Sequence, residues 1–168
     1  MRLPRLVPLL AVATFLASAG CDTNNGGNSL RDVQGTYLFT ELLFDPAAPA
    51  LAEADVLTRI DEEETEVRLF SDGDALFLVQ FDDNTSLRAD GTVSATNSSV
   101  RLVAVTPDDA EELGRLLLQP TNVFARGGSG DVLTASMSVT VDLAAYDPEN
   151  YPGLNAVSGT LSIRLERQ

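Results

Sequence analysis

The sequence predicts an all-β protein: an antiparallel up-and-down barrel of eight or nine strands with one short helix near residues 107–115. Three observations carry this. Apolar and polar residues alternate with a period of two from Gln34 onward, the pattern of strands with one face in a core and one in water. Short turn-forming clusters separate the alternating runs at hairpin spacing. Only one segment carries joint helix-start signals. The hairpin-linked strands leave no evident Greek-key crossover, and closing a meander removes its edges. A two-sheet β-sandwich is the competing architecture.

The elements follow in order. Gln34 to Phe44 is a long aromatic strand, and Ala54 to Ile60, with mixed alternation, is a weaker strand or a short helix. Glu66–Ser71 and Asp74–Phe81 flank Asp72-Gly73, a hairpin dipeptide. Ser86–Thr96 and Val100–Val105 flank Asn97-Ser98-Ser99. Thr106, Pro107 and Asp109 place an N-cap, a first-position proline and an acid in the first turn. Ala110, Leu113 and Leu117 form an apolar helical face, while Gly114 blurs the end. Thr121–Arg126 and Val132–Leu143 flank Gly127-Gly128-Ser129-Gly130. In the latter strand Leu133, Ala135, Met137, Val139 and Val141 share a face; Val157, Gly159, Leu161, Ile163 and Leu165 do so in the last strand. No domain boundary falls within 31–168.

The N-terminus reads as an address. Arg2 and Arg5 precede an apolar run, Leu6 to Leu16, of about eleven residues, too short for the roughly twenty that span a bilayer. Ala17, Ser18, Ala19 and Gly20 then lead to Cys21. This segment resembles a bacterial lipoprotein precursor. Ala19-Gly20-Cys21 fits the family's lipobox, and Ser18 stands where a leucine is usual. The resemblance implies cleavage before Cys21, acylation of its sulfur, as by palmitate, and acylation of the new amine. An ordinary secretory signal cut near Ala19 is the alternative. Cys21 is the sole cysteine, so no disulfide competes for it. Several acyl chains on one residue suffice for stable anchoring. The expected organisation is a signal at 1–20, a flexible tether at 21–30 (Asp22 to Ser29 is polar and glycine-rich), and a barrel domain at 31–168. The expected location is the cell envelope, lipid-anchored, periplasmic or surface-facing.

Composition removes much chemistry. The chain has 11 Lys+Arg and no histidine; all the cations are arginine, and tryptophan is absent. Without His there is no Ser-His-Asp or Cys-His nucleophile and no His-ligated zinc. Without Lys there is no Schiff base or Walker lysine. A net charge of −14, which becomes −16 once Arg2 and Arg5 leave with the signal, argues against nucleic-acid binding.

The body is similar to lipocalin-like (calycin-type) domains of bacterial lipoproteins. Gly35-Thr36-Tyr37 resembles the opening G-x-W of lipocalins with Tyr for Trp. Gly91–Ser94 with Val100–Leu102 resembles a central hairpin, Gly130–Thr134 a late strand entry, and Gly159–Ile163 a closing strand. The resemblance implies a barrel over about 34–167, and an arginine, Arg164 or Arg167, packed over Tyr37.

Asp61-Glu62-Glu63-Glu64-Thr65-Glu66 is the densest acidic run. It lacks EF-hand spacing and reads as a solvated loop, so no metal site is expected. Paired carboxylates run glycoside hydrolysis without His or Lys, but strand acids such as Glu41, Asp142 and Glu166 fall on polar or strand-end positions. No catalytic residue and no cofactor are expected. Phe39, Leu43, Leu69, Phe77, Val79, Phe81, Leu102, Met137, Val139, Leu161 and Ile163 are candidate inner-face residues. They fill a small barrel or line a cavity for one small apolar ligand. Candidate ligand contacts are Tyr37, Phe39, Leu69, Phe77, Phe81, Met137 and Leu161. Two proline-stiffened loops, Phe44–Pro49 and Tyr146–Gly153, would frame a mouth if they share an end. The expected protein is a monomeric, membrane-anchored lipoprotein, not an enzyme. It binds or carries a small apolar molecule; the alternative is an envelope protein-interaction module with a fully packed barrel.

Overall fold

The computed structural model describes residues 25–61 and 63–168, with side chains from Ser29 onward. The expected signal at 1–20 and the expected lipid-attachment residue Cys21 lie outside the described residues. The elements are α1 (Asn25–Val33), β1 (Gly35–Pro46), β2 (Ala54–Asp55), a 3-10 turn (Val56–Arg59), β3 (Glu66–Leu69), β4 (Asp74–Gln80), β5 (Ser86–Ala95), β6 (Ser99–Ala104), α2 (Pro107–Gly114), β7 (Thr121–Arg126), β8 (Val132–Val141), α3 (Leu143–Tyr146) and β9 (Val157–Arg167). Helix α1 begins inside the segment read from sequence as a tether. The stretch from Ala54 to Ile60 holds both a short strand and a short helical turn.

The strands form one sheet in the order β2-β1-β3-β4-β5-β6-β7-β8-β9, closed by β1 against β9. This is an antiparallel eight-strand barrel plus the extra strand β2, and the single continuous sheet removes the sandwich alternative. β3 pairs with the start of β1 (Gly35–Tyr37), and β2 takes over the same edge at Leu43 and Phe44. The opposite edge of β1 pairs with β9 from Tyr37↔Arg167 to Pro46↔Gly159.

One bulge sets the phase of β1. Its register with β9 shifts between Phe39 and Glu41, leaving Thr40 unpaired. Regular alternation would aim Glu41 inward and Phe44 outward. With the extra residue, Thr40 and Glu41 both face water while Leu42 and Phe44 turn in. Burying an unpaired carboxylate costs several kcal/mol, and burying a Phe is worth about 1.5–3 kcal/mol, so the bulge wins. The expectation that Leu43 faces inward is corrected by this shift: Leu43 is half-buried on the outer side and its neighbours fill the core.

The closing seam is tight. A Cβ on Gly159 would sit 2.4 Å from the Asp45 carbonyl oxygen and 2.6 Å from the Phe44 ring. Glycine lets the Phe44 ring lie across the β9 backbone. The predicted helix forms at Pro107–Gly114 with Thr106 as N-cap. Asp109 N–H donates to Thr106 Oγ1 at 3.1 Å, and Thr106 N–H donates to Asp109 Oδ2 at 2.9 Å, a full capping box. Gly114 does not end the turn. The chain reverses at Leu117 (φ 60), where Leu118 N–H reaches Leu113 O and Leu117 N–H reaches Gly114 O. That bond pair is a Schellman reversal with leucine where glycine is usual. Leu116, Leu117 and Leu118 are all buried in return.

A meander places alternate connections at opposite ends. The β3–β4, β5–β6 and β7–β8 hairpins share one end with α1. The long β1–β3 excursion, the β4–β5 turn, α2 and α3 share the other.

Candidate functional site

The barrel interior is occupied by its own side chains. Tyr37, Phe44, Phe77, Phe124, Leu42, Leu102, Leu133 and Leu161 are all fully buried. Of the candidate ligand contacts, Tyr37, Phe39, Leu69, Phe77 and Leu161 lie in this core. Phe81 is half-buried at the loop end, with the Arg115 guanidinium 4.8 Å from its ring centroid. Met137 is half-buried on β8, opposite Leu161.

The two proline-stiffened loops do share an end, but the Tyr146–Gly153 loop packs on the Asp55–Arg59 turn while Ala47–Pro49 stays exposed. The Tyr146 side chain is buried. The Arg59 guanidinium stacks 4.9 Å from its ring centroid and donates to its backbone carbonyl. The Tyr151 ring lies tilted by 36° to the Tyr146 ring, 6.5 Å between centroids. Burial pushes the Tyr146 hydroxyl up to about 12. Asp147 beside it is held below the usual carboxylate range, chiefly by the Asn150 side chain donating to it at 2.8 Å.

The other end is closed by α1. The Tyr37 hydroxyl points its proton at two carbonyls, Val33 O at 2.8 Å and Gly130 O at 2.7 Å. Arg167, the second of the two arginines expected over Tyr37, stacks 5.6 Å from that ring and donates to Asp32 O at 2.5 Å. Its Nε lies 3.3 Å from Asp131. Arg164 instead pairs with Glu166 at 2.7 Å. Arg126, with its side chain buried, pairs with Asp32 at 3.1 Å. Two guanidinium groups thus sit at the C-terminus of α1, where the helix dipole favours cations.

The barrel wall is weakly sealed between β7 and β8. β8 pairs with β9 along its whole length, from Val132↔Glu166 to Val141↔Val157. Against β7 it pairs only at Ala125↔Thr134 and Arg126↔Leu133. Beyond that point the two strands diverge toward the loop end, so β8 from Ala135 onward has no ladder partner on that side. Ser136, Ser138 and Thr140 are exposed along it, and Met137 and Val139 are half-buried. A cleft of about 350 Å³ opens at the wide end of the split. Leu117, Leu118 and Gln119 line one wall, and Thr140, Val141 and Asp142 the other. Buried Asn122 holds the first wall through bonds between its side-chain amide and the Gln119 backbone. Sequence alternation marked β8 clearly but carried no signal for the split. The mismatch between a ten-residue β8 and a six-residue β7 was its only trace.

Two of the carboxylates at this cleft have local partners. Asp142 caps α3 by accepting from Ala145 N–H at 2.8 Å, and Glu112 pairs with Arg115 at 2.9 Å. Within the acidic run, Asp61, Glu63 and Glu64 are exposed ahead of β3. Among the described residues no cluster of three or more His, Cys, Asp or Glu side chains suits a metal ion, and no helix is long and apolar enough to cross a membrane. No protein-family model, curated protein or solved structure matches this chain.

Proposed function

We propose that the chain is an envelope lipoprotein, anchored through acyl chains on Cys21, whose filled barrel is a non-catalytic scaffold for docking another protein. The observation that carries this is the combination of an occupied interior with an open strand edge. An interior filled by Tyr37, Phe44, Phe77, Phe124 and Leu161 has no room for an apolar cargo, which disfavours the carrier reading. The unpaired stretch of β8 presents a row of backbone donors and acceptors. Such an edge accepts an added strand, with main-chain bonds supplying affinity and alternate pockets supplying specificity. The cleft between Leu117 and Val141 would take one side chain of the incoming segment. The Ala19-Gly20-Cys21 lipobox supports the anchor.

Three measurements test the reading. Native mass spectrometry of the purified body should give the mass of the bare polypeptide; a stoichiometric small molecule retained through purification would restore the carrier. A photo-crosslinker at Ser138 in the intact envelope should give one discrete protein adduct, absent when the same group replaces Ser94 on the closed β5–β6 wall. Equal labelling at both positions would remove β8 as the docking edge. Cys21→Ser should release the protein from the membrane fraction, and unchanged fractionation would remove the anchor.

A further inference from the structure

We infer that the barrel is held in one orientation at the bilayer, its α1 end against the lipid surface and its loop end projecting away. The inference rests on the proposed lipidation of Cys21 and adds a direction and a distance to it. Three observations converge.

The first is the length of chain between anchor and barrel. Sequence suggests a loose tether through residue 30, but α1 already begins at Asn25. Val33 is buried at the end of α1, and Ser29 is buried midway, its hydroxyl 3.5 Å from Asn97 Oδ1 in the β5–β6 hairpin. The helix therefore lies across the barrel end and is clamped there by Tyr37, Arg126 and Arg167. Four residue steps separate Cys21 from Asn25, a reach of at most about 14 Å.

The second observation is charge. The loop-end connections carry most of the chain's acids, including Glu63, Glu64, Asp82, Asp83, Glu111 and Glu149, against two arginines, Arg59 and Arg115. The α1-end connections carry Asp72 and Asp131; Asp74 and Asp90 line the same cleft as Phe70, with Asp90 paired with Arg88 and Asp131 paired with Arg167. Helix α1 adds Arg31 and an Asp32 already paired with Arg126. An anionic bilayer surface repels the first end more strongly than the second. The third observation is Phe70. This exposed aromatic sits in the β3–β4 hairpin, at the α1 end. Strand length and tilt put the acidic end about 25 Å farther out, which also carries the open end of the β7–β8 split clear of the lipid.

The absence of tryptophan makes the test clean. The lipidated full-length chain carries Phe70→Trp or Ala48→Trp as its only tryptophan, one at each end. Each variant is reconstituted into phosphatidylethanolamine–phosphatidylglycerol vesicles containing a dansyl-headgroup lipid as energy acceptor. Transfer falls steeply with distance, so transfer from residue 70 should exceed that from residue 48 severalfold. Equal transfer, or more from residue 48, in protein that floats with the vesicles overturns the orientation and leaves the anchor standing. Ser71→Trp gives the same reading should the Phe70 variant unfold. Flotation of Cys21→Ser as efficiently as the unaltered chain, or failure of the unaltered chain to float, overturns the anchor and this inference with it.

Discussion

Replacing Gly159 by alanine should break the barrel at its closing seam. Where an alanine fits, the substitution stabilises a protein by about 0.4–1 kcal/mol, because the unfolded chain loses freedom. The backbone at Gly159 is not in the left-handed region, so that gain would apply were there room. There is none. The new methyl would stand 2.4 Å from the Asp45 carbonyl oxygen and 2.6 Å from the Phe44 ring. Phe44 is fully buried and cannot swing into solvent. The Asp45 oxygen is backbone within the β1–β9 ladder, so β1 and β9 must separate by more than half an ångström to admit the methyl. Overpacking of this kind costs about 1–3 kcal/mol, and each weakened ladder bond adds about 1 kcal/mol. The net expectation is a loss of about 2 kcal/mol or more, or roughly 5–8 °C in Tm for a domain of this size. Thermal unfolding followed by circular dichroism measures it. Gly128→Ala is the control: nothing lies within 4 Å of its added methyl, and its Tm should hold or rise slightly. A Gly159→Ala protein as stable as the unaltered chain would refute the reasoning, because the seam would then be looser than the Phe44 ring position requires.

Other outcomes follow from the same structure. Tyr37→Phe removes the hydroxyl shared between Val33 O and Gly130 O; it should cost about 1–2 kcal/mol and accelerate amide exchange in α1 ahead of β4 and β5. Thr106→Ala breaks the capping box at α2 and should cost about 1 kcal/mol. Asp109, held below the usual carboxylate range chiefly by the Thr106 hydroxyl, should then titrate closer to an ordinary aspartate by NMR. In the intact chain its lowered value favours the fold at neutral pH, and that contribution fades as pH falls through the folded value. The opposite sign holds for tyrosine. Burial raises Tyr37, and raises Tyr146 to about 12. Their contribution is intact below the ordinary tyrosine value near 10 and is lost as pH climbs toward 12. Spectrophotometric titration should show the Tyr37 and Tyr146 phenolates forming only above the ordinary tyrosine range, together with alkaline unfolding.

Much of the barrel was legible along the chain. β8 and β9 alternate so regularly that their inner faces, Leu133 through Val141 and Val157 through Leu165, match the observed ones, and Thr106-Pro107 with Asp109 marked where α2 starts. β1 was harder, because Leu42, Leu43 and Phe44 are all apolar and no pattern reveals which of Thr40 and Glu41 is the extra residue. The candidate ligand contacts were correctly taken as inner-face positions for the most part. Whether they lined a cavity was not legible, since alternation assigns a side chain to a face and says nothing about how far it reaches across. The split between β7 and β8 is likewise absent from local pattern, because pairing depends on what lies opposite.

The charge shows the division most plainly. Sequence alone determined the excess of acids, the exclusion of His and Lys chemistry, the strands, their turns and the helix cap, all set by residues within a few positions of one another. Only the tertiary structure decided where the bulge turns Phe44 inward, that the interior is full, and that β8 keeps an open edge. It also decided that the acids gather at one end. In a meander every second connection lands on the same side, so loops distant in sequence add their charges only once the barrel has closed.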